Sequence, residues 1–114
     1  PANDYMVSQK FFEDANCIVA IGLKSSCLCY ISSQIFKKEI AEPDAYAEDG
    51  VKEFVNIGVG HLCAALSNEG IITETAPPLC VPYADFKPDL IASTELVVTI
   101  LMTNGEFNLH FILN

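Results

Sequence analysis

Hydrophobic and polar residues alternate most regularly in "EFNLHFIL", residues 106–113. Alternate side chains of a strand point to opposite faces, so the apolar set is predicted to be buried and the polar set to be wetter. Asn104-Gly105 separates this run from the apolar run "IASTELVVTILMT" at 91–103. Because Asn-Gly favours a type I′ turn, the two runs are predicted to form a β-hairpin. His110 belongs to the polar set and is expected to be a solvated or edge histidine rather than a catalytic base.

Residues 45–68 carry a helical pattern instead. Their apolar residues fall within about 60° of one direction when each position turns by about 100°. Asp44 is predicted to cap the start of this helix and Gly70 to end it. The predicted core-facing residues are Val51, Phe54, Val55, Gly58, Leu62, Ala65 and Leu66.

Shorter runs predict the other elements. The runs from Cys17 to Leu23 and from Cys27 to Ser32 flank a polar "KSS" and are predicted to form a second hairpin. Residues 4–12 are predicted to add an edge strand, and residues 33–41 a short amphipathic helix. Residues 71–81 are predicted to be extended and interrupted by a Pro-Pro pair.

The order of these elements predicts the fold class. Strands are followed by helices and then by strands again, without regular βαβ alternation. This order predicts an α+β fold, in which helices pack on one face of an antiparallel β-sheet. A chain of 114 residues is expected to form a single domain over residues 1–114.

Composition and charge exclude several classes of partner. Fifteen acidic residues against six lysines give a net charge of −9, which would repel a nucleic-acid backbone. No apolar run approaches the roughly 20 residues needed to span a bilayer, so no membrane association is expected. The first residues, "PANDYM", lack the features of a secretory signal, so the cytoplasm is the expected location.

The cysteines are expected to be reduced and to act as small apolar residues. Their number is odd, and no C-x-x-C or Cys/His zinc spacing occurs, so neither a disulfide framework nor a metal site is predicted. They are Cys17, Cys27, Cys29, Cys63 and Cys80.

The far face of the long helix has an unusual composition. It is nearly bare of the long polar side chains that exposed helix faces usually carry, and its glycine should cost about 1 kcal/mol relative to alanine. A smooth strip would let a partner approach closely beside two polar side chains. Alternatively, the strip packs against another part of the chain or is an ordinary polar face, which the spacing alone favours. The residues of this face are Glu53, Asn56, Gly60, Ala64 and Ser67, with Ile57 at its edge.

The sequence around this face resembles a known family. "KEFVNIGVGHLCAALSNEGIITETAPPLCV" is similar to the signature of the CheC, CheX and FliY chemotaxis phosphatases, with an acid, two residues, Asn-Ile and a glycine a few residues later. The runs "CIVAIGLKSSCLCYISS" and "ELVVTILMTNGEFNLHFIL" resemble that family's central hairpin and final strands. A single E-x-x-N helix is most similar to the CheX type. The family's opening helix is not recognisable in residues 1–16.

The resemblance implies an enzyme that hydrolyses the aspartyl phosphate of a CheY-like response regulator. Asn56 would orient the attacking water, and Glu53 would pair with the regulator's active-site lysine. Ile57, Gly60, Ala64 and Ser67 would contact the regulator. This chain would bind no cofactor or metal itself, since the Mg²⁺ belongs to the regulator.

Two further expectations accompany this resemblance. The β-rich sequence and the family suggest a homodimer, joined through sheet edges or an exchanged strand. The alternative to an enzyme is a non-catalytic CheX-like binding module, which docks on a receiver domain or a sibling subunit without hydrolysis.

Overall fold

Six strands and two helices make up the part of the chain that the computed structural model describes, residues 3–91 and 94–114. A single turn of 3-10 helix follows the fourth strand, at Tyr83–Asp85. The elements are β1 (Tyr5–Glu13), β2 (Cys17–Leu23), α1 (Ser25–Phe36), α2 (Ala45–Asn68), β3 (Thr73–Thr75), β4 (Leu79–Pro82), β5 (Thr94–Met102) and β6 (Gly105–Leu113).

All strands join one antiparallel sheet in the order β3-β1-β2-β6-β5, which confirms the predicted fold class. β3 and β4 pair with the same edge of β1, β3 with its end and β4 with its start. Pro77 and Pro78 lie between β3 and β4, and because proline has no N–H to donate, the pairing with β1 is interrupted there. β1 therefore has neighbours on both sides, and the prediction of an edge strand for residues 4–12 is wrong.

Both helices pack on one face of this sheet, as predicted. Val7, Val19 and Ile21 of the sheet share a buried core with Leu28 of α1 and Val55 of α2. The opposite face is covered less completely by the chain that contains and follows β4. Its small buried cluster comprises Met6, Ile18, Ala20 and Ile112, packed against Val81, Phe86 and Leu90.

The bounds of α2 follow from its capping residues and confirm the prediction. The Asp44 carboxylate accepts a hydrogen bond from the Ala47 N–H at 2.9 Å. At the other end Gly70 has a φ of +82°, and the Ile71 N–H donates to the Leu66 carbonyl at 2.9 Å. With the bond from the Gly70 N–H to Ser67, this is a Schellman motif, which favours glycine.

The buried stripe of α2 is rotated relative to the predicted one. Val51 and Val55 are buried as expected, but Gly58 and Ala65 are exposed, whereas Val59 is buried. The reason is that α2 packs mainly on α1 and β1, while it meets β6 through the edge-on contact of Phe54 with Phe107. Side chains on the side of α2 that faces β6 therefore border open space.

The first helix replaces the second strand of the predicted hairpin. β2 forms as expected, but residues from Ser25 to Phe36 are helical, so the hairpin prediction is wrong. The predicted short helix at 33–41 is also wrong, because Lys37 adopts a left-handed conformation with a φ of 53° and ends α1. The Asp4 carboxylate caps the start of α1 by accepting from the Ser25 N–H at 2.8 Å.

The C-terminal hairpin is confirmed, but its turn differs from the predicted one. Met102 pairs with Gly105, so Thr103 and Asn104 form the loop. Of these residues only Gly105 has a positive φ, 136°, whereas a type I′ turn requires two. The pairing register therefore moves the loop one residue towards the N-terminus.

Candidate functional site

Glu53 and Asn56 lie on the exposed surface of α2, as the phase of the helix predicts. Residues three apart on a helix are neighbours on its surface, about 5–6 Å apart at Cβ. The carboxylate and the amide are thus presented together, above the edge of the sheet formed by β1, β3 and β4.

The amide of Asn56 is anchored from below. Gln9 of β1 donates from Nε2 to the Asn56 Oδ1 at 2.8 Å and to the Ala76 carbonyl, also at 2.8 Å. Gln9 is only 2% exposed, whereas Asn56 is open to solvent. Sequence reasoning missed Gln9. The sequence did contain a signal for it. Gln9 is a polar residue between Val7 and Phe11, in the set of alternate β1 residues that face the core.

The Glu53 carboxylate is available to an external partner. Lys52, its neighbour in sequence, pairs instead with Asp49 at 3.4 Å. Within residues 3–91 and 94–114 no hydrogen bond or ion pair engages the side chain of Glu53. A carboxylate without an internal partner can form a charge-assisted hydrogen bond to an incoming cation without breaking one first.

The strip that continues from Asn56 along α2 is open. Gly60, Ala64 and Ser67 are all exposed, so the alternative that this strip packs against another part of the described chain is wrong. A Cβ atom added at Gly60 would meet no other atom within 4 Å. At Gly50, by contrast, it would lie 2.9 Å from the Ser32 backbone of α1. Helix packing therefore requires glycine at position 50 but not at position 60.

Ile57 lies beside this strip and borders an apolar groove. The groove has a volume of about 340 Å³ and separates α2 from the inner face of β6. Ile57 is thus exposed on the side of α2 that faces β6, whereas Gly60 does not line the groove. The other principal lining residues are Phe54, Gly58, Leu62, Phe107, Leu109 and Phe111.

Neither the histidine of β6 nor four of the five cysteines add a reactive group to this site. His110 is 15% exposed and contacts Glu95 at 2.8 Å on the sheet face away from the helices, so the prediction of a solvated or edge histidine is wrong. Burial raises the pKa of the Cys80 thiol to about 12, with a smaller contribution from Glu48. Burial also raises the pKa values of Cys17, Cys27 and Cys29. A raised thiol pKa disfavours the nucleophilic thiolate.

Comparison with known proteins identifies the fold. Neither a protein-family model nor a curated protein sequence matches the chain. Among solved structures, CheX from Desulfovibrio desulfuricans superposes with a TM-score of 0.83 at 18% identity, over 100% of this chain and 77% of that one. CheX from Vibrio vulnificus gives 0.83 at 12% identity, over 100% and 78%. This chain has the CheX fold.

A third structure with this fold contains a partner protein. It is a complex of CheX with CheY, BeF3 and Mg²⁺ from Borrelia burgdorferi, with a TM-score of 0.78 at 15% identity, over 97% of this chain and 76% of that one.

The residues described for the present chain include no helix long and apolar enough to cross a membrane.

Proposed function

We propose that this protein is a phosphatase of a CheY-like response regulator. The observation that carries the proposal is the exposed pair Glu53 and Asn56, which stands at one end of an open strip on α2. The fold supports it, because the CheX of Borrelia burgdorferi has the same fold and forms a complex with CheY. The cytoplasm is the proposed location.

Asn56 orients the water that attacks the aspartyl phosphate. The water oxygen forms a bond to phosphorus as the bond from phosphorus to the aspartyl oxygen breaks, which releases the carboxylate and inorganic phosphate. Because this acyl phosphate is already labile, positioning is the main task left to the phosphatase. An amide suits that task, since it both donates to and accepts from a water without competing as a nucleophile.

Glu53 pairs with the regulator's active-site lysine. Its carboxylate has no partner within the described chain and is exposed, so it is free to form a charge-assisted hydrogen bond. In this proposal the Mg²⁺ of the reaction is held by the regulator, and no described residue of this chain is assigned to it. Gly60, Ala64 and Ser67 let the regulator's surface approach α2, and Ile57 supplies an apolar contact beside them.

We also propose that the protein is a homodimer joined through β5. This strand is at the edge of the sheet, and its apolar residues are exposed on both faces, with Leu96 at 54% and Leu101 at 78%. An edge strand with an apolar surface is a template for pairing with another strand. A second copy of the chain would cover it.

The deciding experiment is phosphate release from a phosphorylated receiver domain, with binding to the same domain measured in parallel. The receiver is phosphorylated by a small phosphodonor, and its decay is compared with and without catalytic amounts of this protein. Accelerated decay with turnover supports the enzyme. Binding without acceleration would instead establish the non-catalytic docking module.

A further inference from the structure

Gln9 is an anomalous residue in the core. It lies on the helix-side face of β1, where its neighbours Val7 and Phe11 are apolar and buried. Its side chain is buried as well, and its Oε1 atom has no hydrogen-bond partner among the described residues. Burying an amide with an unsatisfied oxygen is unfavourable, because the oxygen loses its hydrogen bonds to water and gains none in return. An apolar residue of the same size would avoid this penalty, but it would also leave the Ala76 carbonyl and the Asn56 amide without their donor.

The contacts of Gln9 fix the orientation of its own amide. A backbone carbonyl can only accept hydrogen bonds, so the Ala76 oxygen requires the Nε2 end of Gln9 to face it. Ala76 directly precedes the Pro-Pro pair at the break between β3 and β4, where the ladder to β1 is interrupted. The strand break thus supplies the carbonyl that sets the direction of the Gln9 amide.

The same contacts fix the orientation of the Asn56 amide. The first N–H of the Gln9 amide is directed to Ala76, and the second is directed to Asn56. Only the Oδ1 atom of Asn56 can accept this hydrogen bond. The Nδ2 group of Asn56 then faces away from the sheet. One lone pair of Oδ1 is occupied by Gln9, while the other lone pair and both Nδ2 protons remain available to a water in front.

We propose that Gln9 is a positioning residue for the reaction, which holds the Asn56 amide in the orientation that the attacking water requires. This inference rests on the proposed phosphatase function. An exposed asparagine otherwise samples several rotamers and both directions of its amide. If Gln9 fixes the Asn56 amide before the regulator docks, the entropy cost of ordering this side chain does not add to the reaction barrier.

Replacement of Gln9 by methionine tests the role. Gln9→Met keeps the length of the side chain and removes both its N–H donors and its unsatisfied oxygen. We expect kcat to fall by about tenfold or more, the scale for a misplaced reacting group, with KM changed by less than about twofold. The melting temperature should change little, because the loss of the donor to the Ala76 carbonyl opposes the removal of the buried oxygen without a partner. Gln9→Leu provides a second variant, and Gln34→Met, at an exposed glutamine of α1, is the matched control.

Two readouts separate positioning from a general effect on folding. In the Asn56→Ala background, Gln9→Met should cause no further loss of turnover, because the group that it positions is absent. In NMR spectra, Gln9→Met should shift the Asn56 side-chain amide signals, and Gln34→Met should leave them unchanged. Unchanged Asn56 signals would overturn the inference, as would a Gln9→Met protein with full turnover.

The two failures are distinguishable. A wild-type protein that does not accelerate dephosphorylation overturns the proposed function, and with it the reaction that Gln9 serves. An active wild-type protein whose Gln9→Met and Gln9→Leu variants are equally active overturns the role of Gln9 alone. Losses that match the unfolded fraction of each variant would also reject positioning.

Discussion

At the scale of single residues, the proposed chemistry depends on side chains that the helix leaves in solvent. Asn56 is exposed yet anchored by Gln9, and Glu53 is exposed with no partner in the described chain. If a regulator docks here as proposed, one side chain is fixed before it arrives, and we expect the other to become fixed on contact with it. This difference predicts different kinetic effects for the two substitutions.

Asn56→Ala should lower turnover on a phosphorylated receiver domain by about 10²-fold, the usual scale for loss of one group acting in a transition state. Binding should change much less, because Asn56 acts on the water. Single-turnover decay and equilibrium binding measure the two effects separately. Asn68→Ala, at an exposed asparagine of the same helix, is the control and should behave as wild type.

Glu53→Gln should weaken docking as well as turnover, because it removes the charge that pairs with the regulator's lysine. The loss should be larger at low salt than at high salt, since salt screens exposed charges. Binding constants for the wild type and the variant at several ionic strengths check this. Equal losses at all salt concentrations would contradict an ionic role for Glu53.

The buried thiols should react slowly with alkylating agents. Because burial raises the pKa of Cys80 to about 12 from an ordinary value of 9.0, its thiolate fraction at pH 8 should be lower by about 10³-fold. Alkylation of the native protein at pH 8 should therefore spare Cys80, and unfolding in denaturant should restore ordinary reactivity. Mass spectrometry of partly alkylated protein measures both states.

At the scale of elements, Gly50 and Gly60, two of the three glycines of α2, serve different needs. Gly60→Leu should raise helix propensity by about 1 kcal/mol relative to glycine, because nothing lies within 4 Å of a Cβ there. The added side chain should nevertheless obstruct the regulator, so the variant should melt at or above the parent temperature and lose activity. Gly50→Ala should instead lower the melting temperature, because its Cβ meets Ser32 of α1. A Gly60→Leu protein that unfolds would contradict this account of the strip.

Elements with local signals could be predicted from the sequence, and those without could not. α2 has an aspartate cap and a terminal glycine, and its predicted bounds are confirmed. In α1 the run "CLCYIS" has strand-like composition, although Cys27, Leu28 and Ile31 also recur at helical spacing. Its N-terminal cap comes from Asp4, which is far away in sequence, so no local capping signal identified the helix.

The same limit applies to the candidate site. Glu53 and Asn56 share a helix face, so their spacing was sufficient to bring them together. Gln9 is 47 residues from Asn56, and only the packing of α2 on β1 creates their contact. A short motif can therefore indicate the groups that are proposed to face a partner, while the residue that anchors one of them depends on tertiary structure.

At the scale of the whole molecule, one edge of the sheet should govern association. We expect a dimer in sedimentation experiments at tens of micromolar, roughly where a micromolar dimer is populated. Leu96→Lys should convert it to a monomer, because a lysine on an edge strand opposes strand pairing. Leu79→Lys, at a residue 61% exposed on the opposite edge, is the control and should leave the dimer intact. A wild-type monomer at these concentrations would reject the proposal.

The position of β2 in the sheet also constrains how the protein acquires its structure. One neighbour, β1, is joined to it by a short turn, but the other is β6, which lies more than eighty residues later in the sequence. Closing so long a loop lowers the folding rate, because its entropy is lost before the contacts form. During synthesis β2 therefore exposes one unpaired edge until residues 105–113 have emerged from the ribosome. We therefore expect the nascent chain to be vulnerable to aggregation over that interval.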